Sequence, residues 1–156
     1  MNILITGVHG FVGSNLVKAL VPEHTIFGLD IVAPKKEGVK KTFFWEDLPS
    51  TNLGQTQLLD FPKIDAIIHL AGKAHDTRNK STADVYFRVN TGLTQRIFDW
   101  FLTSKSAKKF IFFSTVKSAA DRVEGEFLTE ECVPTPVGPY GESKIKAEDY
   151  IIGHFA

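Results

Sequence analysis

Two sets of residues in this chain have types and spacings that chemistry could use. The first lies in "PYGESK", residues 139–144. On a helix, Tyr140 and Lys144 share one face, one turn apart, with Ser143 beside Lys144. A cation next to a phenol favours its ionised form, so such a pair could give or take a proton. Y-x-x-x-K alone is a weak signal, because common residues produce it by chance on many helices. The second set is "TGVHGFVGS", in which Gly7, Gly10 and Gly13 recur every third residue. Glycines let a backbone turn tightly and come close to phosphates, and a helix N-terminus behind them offers unpaired N–H donors and a positive dipole end. The spacing is G-x-x-G-x-x-G, not G-x-G-x-x-G, and some glycine turns serve only to turn the chain. Asp30, ending "TIFGLD", adds a carboxylate that can accept from both hydroxyls of a ribose and would repel a 2′-phosphate. Together Gly7, Gly10, Gly13 and Asp30 point to a dinucleotide, with NAD preferred over NADP. A Walker A loop is the rival phosphate cradle, but no G-K-[ST] follows these glycines.

Such residues need elements to hold them. Short apolar runs at 3–5, 25–29, 43–45, 66–70 and 110–113 read as strands. Most lack the alternation of a sheet with one wet face, which predicts a parallel sheet covered on both sides. Helical patterns at 11–20, 81–104 and 140–155 lie between or after them. Ser81 and Asp84 are spaced as a capping box for the second helix, with Asp in place of Glu. "VPTPVGP", 133–139, is a stiff loop into the last helix. Strands alternating with helices predict an α/β, doubly wound parallel sheet of about five strands. No internal repeat, low-complexity tract or linker interrupts it.

Composition sets the outer limits. The chain has 156 residues, enough for one domain with a core. Lys plus Arg balance Asp plus Glu, giving a formal net charge of +0, so nothing argues for nucleic acid. The basic cluster Lys35, Lys36, Lys40 and Lys41 reads as a solvated loop. No apolar run is long enough to span a membrane, and "MNILITG" lacks the basic start of a signal peptide. Cys132 is the single cysteine, which excludes an internal disulfide and suits a reducing, cytoplasmic setting. His9, His69 and His75 have no ligand spacing with one another or with Cys132, so no metal is expected. His69 reads as the end of a buried strand, bonded to backbone. Glu130 and Glu131 read as solvated loop charges.

With these motifs in order, the sequence resembles the extended short-chain dehydrogenase/reductases, in the branch of nucleotide-sugar epimerases, dehydratases and 4-reductases. The resemblance runs from residue 1 to about 152. "TGVHGFVG" resembles T-G-x-x-G-F-x-G and implies that Gly7, Gly10, Phe11, Val12 and Gly13 line the cofactor's pyrophosphate. "WEDL" implies Asp47 on the adenine amino group with Leu48 as its neighbour. "HLAGK" places Leu70, Ala71, Gly72 and Lys73 along the cofactor, and "RVNTG" carries over Asn90, with Thr91 and Gly92 in looser agreement. "PYGESK" supplies the Tyr and Lys. The resemblance implies NAD on a Rossmann fold and hydride transfer at a sugar carbon. Tyr140 would be the general base, its phenol made more acidic by Lys144, and the Lys144 ammonium would also bond the nicotinamide ribose. In "FIFFSTVK" the family spacing points to Thr115 as the third catalytic group, with Ser114 as competitor; a strand alternates faces, so one of the two should aim at the site.

Sugar 4,6-dehydratases resemble Thr-Asp-Glu at this point, whereas this chain has Thr115, Val116 and Lys117. Without that carboxylate pair, epimerase or 4-reductase chemistry is favoured over dehydration. Lys117 reads as a surface lysine, with a reach to the sugar or its diphosphate as the alternative. His75 and Arg78 fall where the family reads substrate-side or nicotinamide-side groups. Family members run to roughly twice this size with at least six parallel strands. The chain is therefore expected to be the NAD-binding part, stopping before the sixth strand and the domain that holds a nucleotide-diphosphate sugar. Residues 1–156 alone should bind NAD weakly, turn over no sugar, and associate as a homodimer or larger species through an uncovered sheet edge. The alternative is a non-catalytic NAD-binding regulatory module of the same fold.

Overall fold

The computed structural model describes residues 1–48, 61–74, 81–123 and 125–155. It divides into two units, Met1–Ala71 with Ile97–Phe113, and Gly72–Arg96 with Ser114–Ala156. His75 and Arg78 lie outside the described residues.

The first unit is built on strands β1 (Asn2–Thr6), β2 (Thr25–Leu29), β3 (Val39–Phe43), β4 (Ala66–His69) and β5 (Lys109–Phe112). All pair in parallel, in the order β3-β2-β1-β4-β5. Those are the first five strands of the doubly wound Rossmann order 3-2-1-4-5-6, with the crossover between β3 and β4. The strands of the middle are apolar on both faces because both faces are covered. Ile3, Ile5, Ile26, Ala66 and Ile68 pack with Val8 and Val17, the latter on helix α1 (Phe11–Leu20). On the other face Phe98 and Trp100 lie buried on helix α3 (Leu93–Thr103), Phe98 with its ring 5.1 Å from Phe110 and Trp100 with its ring 5.4 Å from Phe61.

Three expectations shift here. The third strand is Val39–Phe43, and residues 43–45 only end it; Trp45–Asp47 turn into a short 3₁₀ helix. Lys40 and Lys41 hid this strand. They sit on the exposed edge of the sheet, their ammonium groups 5.8 Å and 4.6 Å from the ring centres of Phe27 and Phe43, so half of the basic cluster is strand and not loop. Edge lysines of this kind discourage pairing with a second chain. β5 alternates exposed and half-buried residues, because it is the other edge, and Ile111 is left 46% exposed.

The expected helix at 81–104 breaks into three. Helix α2 (Ala83–Tyr86) leads into a π-helical turn, Phe87–Gly92, and α3 follows. Thr82 is the N-cap and its side chain makes no capping bond, so Ser81 and Asp84 are out of register for a capping box. The π turn coincides with a hydroxyl in the backbone ladder: Thr94 Oγ1 donates to the Asn90 carbonyl at 2.6 Å. Such wide turns often mark functional positions. Residues Val116–Ser118 form a 3₁₀ turn capped by Thr115, and helix α4 spans Gly138–Ile152. α4 begins earlier than the pattern at 140 because Pro139 fits a helix's first turn. It packs on α2, on the π turn and on the 116–118 turn.

Candidate functional site

The glycine turn joins β1 to α1. Gly7 has φ +68, and a side chain there would meet the backbone of Ala71 at 3.1 Å. Gly10 closes the turn by donating to the Gly7 carbonyl at 3.0 Å and serves as N-cap of α1 with no side-chain cap. The first intrahelical bond is from Ser14 N–H to Gly10 O, so the amides of Phe11, Val12 and Gly13 precede the ladder. Phe11 is 87% exposed beside them. A Cβ on Gly13 would stand 2.5 Å from the Gly7 carbonyl oxygen. Gly13→Ala should therefore destabilise the fold by about 1–3 kcal/mol, because the clash outweighs the ~1 kcal/mol that Ala gains over Gly in a helix. Urea unfolding measures it, and a variant as stable as wild type would mean that the turn has room to relax.

Asp30 follows β2 and meets the same turn. Its Oδ2 accepts from the His9 amide at 3.1 Å and its Oδ1 from the Ile31 amide at 2.8 Å. The His9 ring is anchored on β3, Nε2 to Thr42 Oγ1 at 3.2 Å. Asp47 Oδ2 accepts from the Phe44 amide at 2.8 Å, which fixes its carboxylate at the mouth of its own 3₁₀ turn, while the Leu48 side chain is buried.

Thr6 went unassigned in the sequence and is the hub at the end of β1. Its Oγ1 accepts from the amides of Leu70 at 3.1 Å and Ala71 at 2.9 Å, and lies 2.6 Å from Nδ1 of buried His69. A hydroxyl with both lone pairs occupied must donate to the ring nitrogen, which makes Nδ1 the acceptor. His69 thus ends a buried strand as expected, and its Nδ1 bonds the Thr6 hydroxyl. The arrangement draws Leu70 and Ala71 against Gly7. The signal was a threonine directly before the first glycine.

In the second unit Asn90 is 1% exposed. Its Oδ1 accepts from the Lys73 amide at 2.6 Å, and its Nδ2 donates to the Lys73 carbonyl at 3.0 Å and to Ser143 Oγ at 2.9 Å. The amide group thus grips Lys73 at both backbone atoms beside exposed Gly72, and the Lys73 ammonium rests 5.5 Å from the Tyr86 ring centre. Ser143 Oγ donates in turn to the Tyr140 carbonyl at 2.8 Å, and Thr91 Oγ1 donates to the Ser143 carbonyl at 2.8 Å.

Tyr140 is half-buried on the first turn of α4, and Lys144 one turn on is 6% exposed. Burial pushes the Lys144 ammonium down to about 8, and the carboxylate of Glu148 pulls it part of the way back. The first turn of α4 lies against the 116–118 turn, where a Cβ on Gly141 would stand 2.3 Å from the Lys117 carbonyl oxygen. The two hydroxyl candidates separate here. Ser114 Oγ donates to Glu148 Oε1. Thr115 Oγ1 accepts from the Lys117 amide at 3.3 Å, and among the described residues its own proton has no recorded acceptor. Lys117 pairs with Asp121 at 2.6 Å on the surface. Among the described residues no three His, Cys, Asp or Glu side chains are grouped to hold a metal, and no helix is long and apolar enough to cross a membrane.

Comparison with known proteins adds the following. Residues 3–154 match the family described as the NAD dependent epimerase/dehydratase family. A UDP-glucose 4-epimerase of Streptococcus mutans is 27% identical over 95% of this chain and 45% of its own length. One from Vibrio cholerae is 29% identical over 97% of this chain and 46% of its own. The crystal structure of UDP-glucuronic acid 4-epimerase from Bacillus cereus in complex with NAD matches with a TM-score of 0.72 at 25% identity, covering 99% of this chain and 52% of that one. The chain spans about half the length of the relatives it matches.

Proposed function

We propose, because this chain belongs to the NAD dependent epimerase/dehydratase family, that it binds NAD and serves hydride transfer at a carbon of a nucleotide-diphosphate sugar, as an epimerase or 4-reductase. The observation that carries the chemistry is Lys144, a buried lysine one helical turn from Tyr140 with its ammonium pushed down to about 8. Strongly perturbed groups of this kind concentrate at reacting sites.

The residues fit the cofactor on the first unit's own geometry. The amides at Phe11, Val12 and Gly13 suit a pyrophosphate, the space over Gly7, Gly10 and Gly13 suits its close approach, and Asp30 suits ribose hydroxyls. Asp47 with Leu48 would stand at the adenine, and Leu70 with Ala71 along the remainder; Gly72 and Lys73, the latter held by Asn90, belong to the second unit and are assigned to the cofactor by the family resemblance. When bound, NAD would accept the hydride from the sugar carbon. Tyr140 takes the proton of the hydroxyl on that carbon and returns it in the reverse step. The Lys144 charge favours the phenolate and its N–H donors suit a ribose hydroxyl. Thr115 bonds the reacting hydroxyl and fixes its direction.

In this reading residues 1–156 are the cofactor half, the sugar's nucleotide is held by the length that relatives carry beyond the match, and the enzyme is cytoplasmic. For residues 1–156 alone, the uncovered β5 edge is the surface through which we place a homodimer or larger species. Asp30→Ala should weaken NAD by about 1.5–3 kcal/mol, the value of a charged hydrogen bond, as read by calorimetry. The activity is tested with protein carried to the relatives' length, NAD, and a panel of UDP- and dTDP-sugars, following the NADH band and sugar interconversion. Conversion of one sugar supports the reading. NAD binding with no conversion of any sugar would leave a regulatory NAD module instead.

A further inference from the structure

Glu148 has no part in the roles above, yet it touches both halves of the proton-transfer apparatus. It stands one turn beyond Lys144 on α4. Its Oε1 accepts from Ser114 Oγ and, at 2.6 Å, from Ser118 Oγ, two residues on either side of the Thr115 turn. Ser118 Oγ also lies 2.6 Å from the Thr115 carbonyl, so its one proton is shared between that carbonyl and the carboxylate. Ser118 is buried, and Glu148 is half-buried.

We propose that Glu148 is a positioning residue for the reaction: its carboxylate ties the Ser114–Ser118 turn to α4, which sets Thr115 against Tyr140, and it places a negative charge one helical turn from the Lys144 ammonium. The proposal rests on the roles assigned to Thr115, Tyr140 and Lys144 above. The two effects act in the same direction. A catalytic hydroxyl on a short 3₁₀ turn has little of its own to fix it, since Thr115 caps only the Lys117 amide. A lysine taken out of water loses its proton readily unless an anion stands near. Glu148 is the charge that raises Lys144. The elements packed against α4 bring the ionisable side chains Asp84, Tyr86, Arg88 and Lys117, and α4 itself adds Tyr140, Glu142, Lys146, Asp149 and Tyr150.

Glu148→Gln separates the two effects, because Gln retains an acceptor oxygen and loses the charge. In this chain, competitive acetylation read by mass spectrometry gives the Lys144 titration midpoint, and amide hydrogen exchange at Lys117, Ser118 and Ala119 reports the turn. Glu148→Gln should move the Lys144 midpoint below its wild-type value and leave exchange at the turn unchanged. Glu148→Asp should restore the midpoint in part. Glu148→Ala should lower the midpoint and speed exchange at the turn roughly tenfold, as expected for loss of hydrogen bonds to a charged group. Should Glu148→Ala fail to fold, Ser114→Ala with Ser118→Ala gives the exchange result in its place. An unchanged midpoint in Glu148→Gln, or unchanged exchange in the variants that remove the bonds, overturns the proposal. Neither readout needs cofactor, so a chain that fails to bind NAD would sink the functional reading and still decide the role of Glu148.

Discussion

Tyr140→Phe will lower hydride transfer by roughly 10²–10⁴-fold and leave NAD affinity nearly unchanged. The substitution removes one hydroxyl from a half-buried ring on the first turn of α4. The ring keeps its packing, and the turn keeps its anchors. Ser143 Oγ bonds the Tyr140 carbonyl, not its side chain, and Gly141 keeps α4 against the Lys117 carbonyl. The proton of the reacting hydroxyl then has no base, while the glycine turn and Asp30 remain as they were. The loss should fall on kcat, with the NAD dissociation constant from calorimetry within about twofold of wild type. A variant that kept a large part of the wild-type rate would remove Tyr140 from the mechanism.

Lys144→Met should make the fold more stable at pH 7 by about 1–3 kcal/mol while abolishing turnover. Burial lowers the Lys144 ammonium from an ordinary 10.5 to about 8 in the folded chain. Below about 8 both folded and unfolded chains carry the proton, and the folded one bears the cost of burying a charge that Glu148 offsets only in part. Between about 8 and 10.5 the unfolded chain binds more protons than the folded one, so wild-type stability rises with pH across that window. Above it both forms are neutral and the cost is gone. Methionine has similar length and no charge, so its advantage should be largest below about 8 and fade as pH climbs through the window. Urea unfolding at pH 7 and pH 10 reads this directly. Equal stability of the two proteins at both values would show that Lys144 is not strained by burial. A protein that keeps a costly lysine beside a tyrosine keeps it for a reason other than stability.

The parts legible in the sequence share one property: they are local. Gly7, Gly10 and Gly13 announce a turn because only the backbone around them matters, and Tyr140 with Lys144 announces a helix face because the spacing is within one turn. The central strands were legible because both faces are apolar. β3 was obscured because an edge strand carries exposed lysines, and the π turn at Phe87–Gly92 because Asn90 is directed by partners at Lys73 and Ser143, far away in sequence. Thr6 and Glu148 were missed for the same reason. Each acts through residues dozens of positions distant, Thr6 at His69, Leu70 and Ala71, Glu148 at Ser114 and Ser118. Ser114 and Thr115 both lie past the end of β5 at Phe112, so the alternation expected of a strand does not decide between them; the Glu148 carboxylate engages the first and leaves the second to the substrate in our reading.

If the glycine turn and Asp30 form an NAD site, paired calorimetric titrations with NAD and NADP will tell the two dinucleotides apart. One NAD should bind per chain, more tightly than NADP. The 2′-phosphate would be placed against the Asp30 carboxylate, which already stands at the His9 amide of the turn. Equal or tighter binding of NADP would contradict the role of Asp30, and no binding of either dinucleotide would contradict the site.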